Sequence, residues 1–134
     1  MPDWLTTTLL LMLGGGAGAN ARFWLGRAVA WWQGPVEFPW ATFVINVSGS
    51  VILGLVAGTF LHQQHPLHPD PVKRNWYLLL GPGFCGGYTT FSTFSLEALE
   101  LLQDGRRWAA AGYVAGSVAA GLVGVWLAVR WAGR

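Results

Sequence analysis

Charged side chains are the scarcest class in this sequence: eight Lys and Arg and six Asp and Glu among 134 residues, 10% of the chain against 53% hydrophobic. A water-soluble chain carries roughly a quarter of its residues as charges. The composition therefore excludes an ordinary soluble globule and points to an integral membrane protein. A net charge of +2 with no basic run leaves no electrostatic footprint for a nucleic acid. Cysteine is nearly absent: Cys85 has no second cysteine to pair with, so no intrachain disulfide forms, and its plain reading is a small buried hydrophobe. Enzyme constellations are missing as well. There is no Ser/His/Asp set, no Walker loop and no Gly-rich dinucleotide loop opening a helix after a strand, so the chain reads as no enzyme. His62, His65 and His68 recur at metal-like spacing, but Pro66 and Pro69 interrupt the helix that would align them. No carboxylate or cysteine cluster joins them, and a solvated loop is preferred to a metal site.

What the sequence has instead is long apolar stretches. Four of them, about 4–25, 40–61, 76–101 and 108–129, reach the roughly 20 residues that cross a bilayer core. They leave no room for a soluble domain, so residues 1–134 read as one all-α, four-span membrane domain. The first stretch lacks a basic leader and is too long for a removable signal peptide. Seven of the nine tryptophans (Trp4, Trp31, Trp32, Trp40, Trp76, Trp108 and Trp131) fall at or just outside span ends, where the amphipathic indole prefers the headgroup layer. Small residues mark packing faces: Gly14, Gly15, Gly16, Gly18 and Ala19 in the first span, and Gly112, Gly116, Ala120 and Gly124 in the fourth. Arg22 sits near the far end of the first span; it reads either as a snorkelling anchor or as a cationic lure for anions in a vestibule.

The third span holds the most unusual chemistry. Gly81, Pro82, Gly83, Gly86 and Gly87 crowd four glycines and a proline into seven residues, which predicts a helix broken mid-span between Gly81 and Gly87. Directly after it come the hydroxyls of Thr89, Thr90, Ser92, Thr93 and Ser95, with Phe91 and Phe94 three apart and so on one helical face. Irregular backbone at membrane depth is tolerated only where it is buried in protein or lines a water-filled cavity. These are the parts of a site for a small ion. In the second span Thr42, Asn46, Gly49, Ser50 and Leu53 form a narrow stripe that must face protein or water. The Asn46 carboxamide serves either as an interhelical hydrogen bond or as a pore-lining donor. Glu97 is expected to approach an interface, where its charge is affordable. In the fourth span Tyr113, Ser117 and Gly121 run beside the glycine seam and continue a polar track.

Gly86-Gly87-Tyr88-Thr89-Thr90-Phe91-Ser92-Thr93-Phe94-Ser95, together with Thr42 to Ser50 and Gly18-Ala19-Asn20-Ala21-Arg22, resembles the Fluc/CrcB family of fluoride channels. The similarity covers all four spans in order. It implies an antiparallel, dual-topology homodimer with two pores in a bacterial plasma (inner) membrane, exporting fluoride passively and lowering cytoplasmic fluoride. It also implies a structural Na+ on the dimer axis, held by the backbone carbonyls of Gly86 and Thr89 from each subunit. By the same resemblance Asn46 lines the pore with Thr42, Phe91 and Phe94 contact the anion, and Ser92, Thr93, Tyr113 and Ser117 form its hydroxyl track. The family commonly continues with another hydroxyl one turn past Ser117, where this sequence has Gly121. Hydroxyls, a carboxamide and the positive edges of phenyl rings suit a small anion in general; the choice of fluoride comes from the resemblance.

Two rival readings belong to other classes. A small multidrug-type transporter needs an embedded carboxylate in its first span, and none is present there. An accessory membrane subunit accounts for the packing faces but not for hydroxyls and paired rings after a helix break. Orientation follows from counting charges. With four spans, Lys73, Arg74, Arg130 and Arg134 lie on one side and Arg22, Arg27, Arg106 and Arg107 on the other. Four against four gives the positive-inside rule nothing to act on. A tag placed after Arg134 is therefore expected to be labelled from both faces of the membrane in comparable amounts, and labelling from one face only would sink the dual topology.

Overall fold

A computed structural model describes residues 3–34, 38–61 and 70–134; the three histidines lie outside them. The elements are α1 (Asp3–Gln33), α2 (Trp40–Phe60), α3 (Pro71–Leu78), a π-helical stretch (Leu79–Cys85), a helical turn α4 (Gly86–Tyr88), α5 (Phe91–Gln103) and α6 (Arg107–Ala132). No strand occurs among the described residues. Of these helices α2 and α6, with 21 and 26 residues, are each long and apolar enough to cross a membrane.

Helix ends follow local chemistry. α1 outlasts the span expected to stop near residue 25, because nothing between Gly26 and Gln33 breaks a helix. It ends where Gly34 takes φ 65° and returns its N–H to the Ala30 carbonyl at 3.2 Å. α3 likewise starts before Trp76: the Asp70 carboxylate accepts the Val72 N–H at 2.9 Å, and Pro71 fills the first helical position, where a missing N–H does no harm. α5 closes in a Schellman turn, with Gly105 at φ 75° donating to Leu102 and Arg106 donating to Leu101.

The helix does not break between Gly81 and Gly87 as the glycines suggested. That stretch stays helical but widens by one residue per turn, with Pro82 inside it. Widening to a π-turn shifts the proline ring away from the carbonyl it would strike in an α-helix. The true interruption is at Thr89 and Thr90, which are extended (φ −81°, ψ 161° and φ −150°, ψ 114°).

Two glycine contacts set the helix spacing. A Cβ on Gly14 or Gly18 would run into the Leu79 or Phe84 carbonyl oxygen, so α1 lies directly against the π-stretch and α4. A Cβ on Gly54 or Gly58 would come within 2.7 Å of Ala128 or 2.9 Å of Ala132, so α2 lies equally close to α6. The glycine seam expected along α6 contributes less. Gly112 faces open space and Gly124 alone meets α2 tightly, at Val51. The side-chain core is correspondingly small: Tyr113, Leu101 and Ala110, with Phe38, Phe43, Phe94, Ala98 and Ala109 around them. Met12, Leu13, Leu122 and Trp126 point outward, more than half exposed. Apolar faces of that extent suit lipid or another protein surface rather than water.

Candidate functional site

The interruption at Thr89 and Thr90 is held by α2. Asn46 Oδ1 accepts the Thr90 N–H at 2.9 Å, and Asn46 Nδ2 donates to the Thr90 carbonyl at 3.1 Å. One carboxamide thus satisfies both backbone groups of a residue that is itself 93% buried, being only 7% exposed. In a continuous α-helix the Thr90 N–H would go to the Gly86 carbonyl; given to Asn46, it leaves that carbonyl without its ladder partner. The Thr89 carbonyl, in turn, meets only Arg22 Nη1 at 3.4 Å. Gly49 makes the approach possible, because a Cβ there would strike the Thr89 methyl.

Downstream, the Thr90 hydroxyl caps α5. It accepts the Thr93 N–H at 3.2 Å, donates to Thr93 Oγ1 at 3.0 Å, and lies 3.3 Å from Ser92 Oγ. Phe91 and Phe94 share a face as their spacing predicts, with ring centroids 5.9 Å apart, but their surroundings differ. Phe91 is 80% exposed. Phe94 packs on the fully buried Tyr113 ring at 5.0 Å.

Thr42 and Tyr113, expected to line a path with free hydroxyls, both donate to one carboxylate. Thr42 Oγ1 reaches Glu97 Oε1 at 2.9 Å and Tyr113 Oη reaches Glu97 Oε2 at 2.7 Å. Glu97, expected only to approach an interface, is half-buried and takes both hydroxyls. The signal was present in its spacing, since Glu97 follows Phe94 by three and Thr93 by four and so shares their face toward α6. Ser117 has the opposite character: its Oγ is buried with no hydrogen-bond partner.

Cavities join these groups in series. One of about 420 Å³ is lined by Asn46, Ser50, Gly86, Thr89, Thr90 and Phe91 among others. A second, of about 470 Å³, brings together Arg22, Thr42, Thr90 and Thr93. A third, of about 340 Å³, holds Ser50, Ser117 and Gly121. Thr90 belongs to the first two and Ser50 to the first and third. Arg22, Thr42, Asn46, Ser50, Thr89, Thr90, Thr93 and Ser117 thus each line at least one of the three, whereas Ser92, Ser95, Glu97 and Tyr113 line none of them. Sequence reasoning gave Ser50 no role beyond the α2 stripe, and only its position one turn after Asn46 hinted at this placement. Among the described residues no group of three His, Cys, Asp or Glu is placed to hold a metal.

An apolar helical bundle whose third helix is interrupted beside linked polar cavities is a membrane protein built around irregular backbone. Residues 9–129 match the family described as CrcB-like protein, Camphor Resistance (CrcB). The chain belongs to that family. It is 44% identical over 124 residues to "Fluoride-specific ion channel FluC 2" of Rhodococcus jostii (strain RHA1), covering 92% of this chain and 96% of that protein. "Fluoride-specific ion channel FluC" of Novosphingobium aromaticivorans is 44% identical over 124 residues (92% and 93% covered), and its namesake from Gloeobacter violaceus 42% over 119 residues (89% and 90%).

The paired bonds at Thr90 make Asn46 a structural support whatever else it does. Asn46→Ala leaves a buried N–H and carbonyl unpaired, and the expected loss is about 1–3 kcal/mol of unfolding free energy. Denaturation in mixed detergent micelles measures it; a change under about 0.5 kcal/mol, the scale of an ordinary surface substitution, would mean that Thr90 finds other partners.

Proposed function

We propose that the chain is a passive fluoride channel of the bacterial plasma membrane. The observation that carries this reading is the interrupted helix at Thr89 and Thr90, with Asn46, Phe91 and freed carbonyls on one cavity; the names of the relatives supply the ion. Residues 1–134 form one domain of four passes: α1, α2, the combined α3 to α5, and α6. Two copies pair antiparallel, and each pair encloses two pores.

Fluoride is small and strongly hydrated, so a conducting path must replace its water with donors that let it go again. Arg22, facing the cavity of Thr42 and Thr93, attracts the anion without a contact that would trap it. The Thr93 hydroxyl, accepting from Thr90, still has its own proton to offer, and one proton on Asn46 Nδ2 is likewise uncommitted. Phe91 lines the cavity of Asn46 and Phe94 stands beside it on Tyr113; a phenyl edge is the positive part of the aromatic quadrupole and suits an anion. Tyr113 and Thr42 act mainly by holding Glu97, which keeps that carboxylate turned away from an anion.

The Gly86 and Thr89 carbonyls fit a hard monovalent cation in their chemistry: neutral oxygens of two residues lining one cavity, each with a lone pair beyond the one that Thr89 offers to Arg22. Two such oxygens per chain are too few to replace a hydration shell, so a Na+ between them needs the same pair from a second copy. The cation would tie the two interruptions together. Anomalous scattering from crystals grown with a heavier monovalent cation is expected to place density between these carbonyls, and an empty position in well-resolved maps would remove the cation from the proposal.

Purified protein in liposomes is expected to release fluoride, read with an ion-selective electrode. Phe91→Ile and Phe94→Ile should each lower that flux by about tenfold or more, the effect of a barrier raised by ~1.4 kcal/mol. Because Phe94 packs on Tyr113 and Phe91 is exposed, stability should fall at Phe94 and hardly change at Phe91. Liposomes that retain fluoride would refute the channel, while full flux in both variants would remove the rings from the path.

A further inference from the structure

Along α6 the hydroxyls of Tyr113 and Ser117 stand one turn apart, and the next position on that face, Gly121, carries none. The space is not vacant. A Cβ built on Gly121 would lie 3.3 Å from Ser50 Oγ and 3.9 Å from Ser50 Cβ, so the α2 hydroxyl stands where a residue-121 side chain would project. Ser50 also lines both the cavity of Asn46, Thr90 and Phe91 and the one of Ser117 and Gly121. Beside it the Ser117 hydroxyl is buried and bonded to nothing. An orphaned buried donor is costly unless a ligand or water takes it.

We propose that Ser50 supplies from α2 the hydroxyl that α6 lacks at Gly121, and that Ser50 and Ser117 together form an anion-binding station at that end of the path. The inference rests on the channel reading above and assigns a donor that the α6 sequence does not contain. At present the Ser50 hydroxyl donates to the Asn46 carbonyl at 2.8 Å. Within α2 that carbonyl is also the regular ladder acceptor of the Ser50 N–H. The hydroxyl can therefore turn toward a passing anion without leaving an acceptor unpaired. Ser117, which has no competing acceptor, needs no such release. The small, monovalent ligand this pair suits is one that shares two hydroxyl protons at short range, as fluoride does.

The test is complementation across the two helices. Wild type, Ser50→Ala and the double variant Ser50→Ala with Gly121→Ser are compared by fluoride efflux from liposomes, using protein that elutes at the same volume in each case. Losing one hydrogen bond to an anion should lower the flux of Ser50→Ala roughly tenfold. Returning a hydroxyl to the same space from α6 should restore the double variant to within about threefold of wild type, the scatter expected when one such bond is moved rather than removed. Wild-type flux in Ser50→Ala overturns the proposal. So does a slow Ser50→Ala that Gly121→Ser fails to rescue, because Ser50 then acts through the backbone of α2. A wild-type protein that passes no fluoride overturns the channel reading itself, and is told apart by flat traces in all three samples.

Discussion

An interrupted helix inside an apolar slab leaves amide and carbonyl groups with no water to turn to, and the structure depends on how these few groups are satisfied. Here a single side chain does most of it. The Asn46 carboxamide takes the Thr90 N–H and gives a proton to the Thr90 carbonyl, reproducing across two elements the pairing that a helix would have made within one. Everything downstream inherits its position from that link. The Thr90 hydroxyl starts α5, α5 directs Phe91, Phe94 and Glu97, and Glu97 meets the hydroxyls of Thr42 and Tyr113.

The link works only because the backbones come unusually close. Without a solvent-driven hydrophobic force between helices in lipid, close approach must come from shape, and glycine provides it. Gly49 admits the Thr89 methyl beside Asn46, Gly14 and Gly18 admit the π-stretch and α4 against α1, and Gly54 and Gly58 admit α6 against α2. These glycines are where a methyl group would push two elements apart. The core is thin because little of this packing uses large side chains: Tyr113 is the one large residue fully buried among those described.

Polar chemistry divides between committed and available protons. Thr42, Tyr113 and Thr90 have spent theirs on Glu97 or on Thr93, whereas Thr93, Ser117 and half of the Asn46 amide retain protons toward the cavities. On the proposed channel reading, that division separates residues that would build the path from residues that would meet an ion in it. It also accounts for a half-buried carboxylate beside these groups. Two hydroxyl donors occupy its oxygens and hold it against α2 and α6.

The sequence by itself determined the class, the order of the helices and the identity of the residues around the break, because hydropathy and composition are local and additive. The face shared by Phe91 and Phe94 and the polar stripe of α2 were legible for the same reason: helical spacing is a property of one segment. Helix ends were less so. Asp70-Pro71 marked the start of α3, but an apolar window overlooks a capped polar turn. Only the tertiary structure decided that the glycine and proline run widens rather than breaks, that the interruption falls at Thr89 and Thr90, and that Glu97 takes the hydroxyls of Thr42 and Tyr113. It also decided that Ser50 fills the gap at Gly121. Each of those outcomes turns on which element stands opposite, and a backbone or hydroxyl group takes the partner that distance offers, which no single segment encodes.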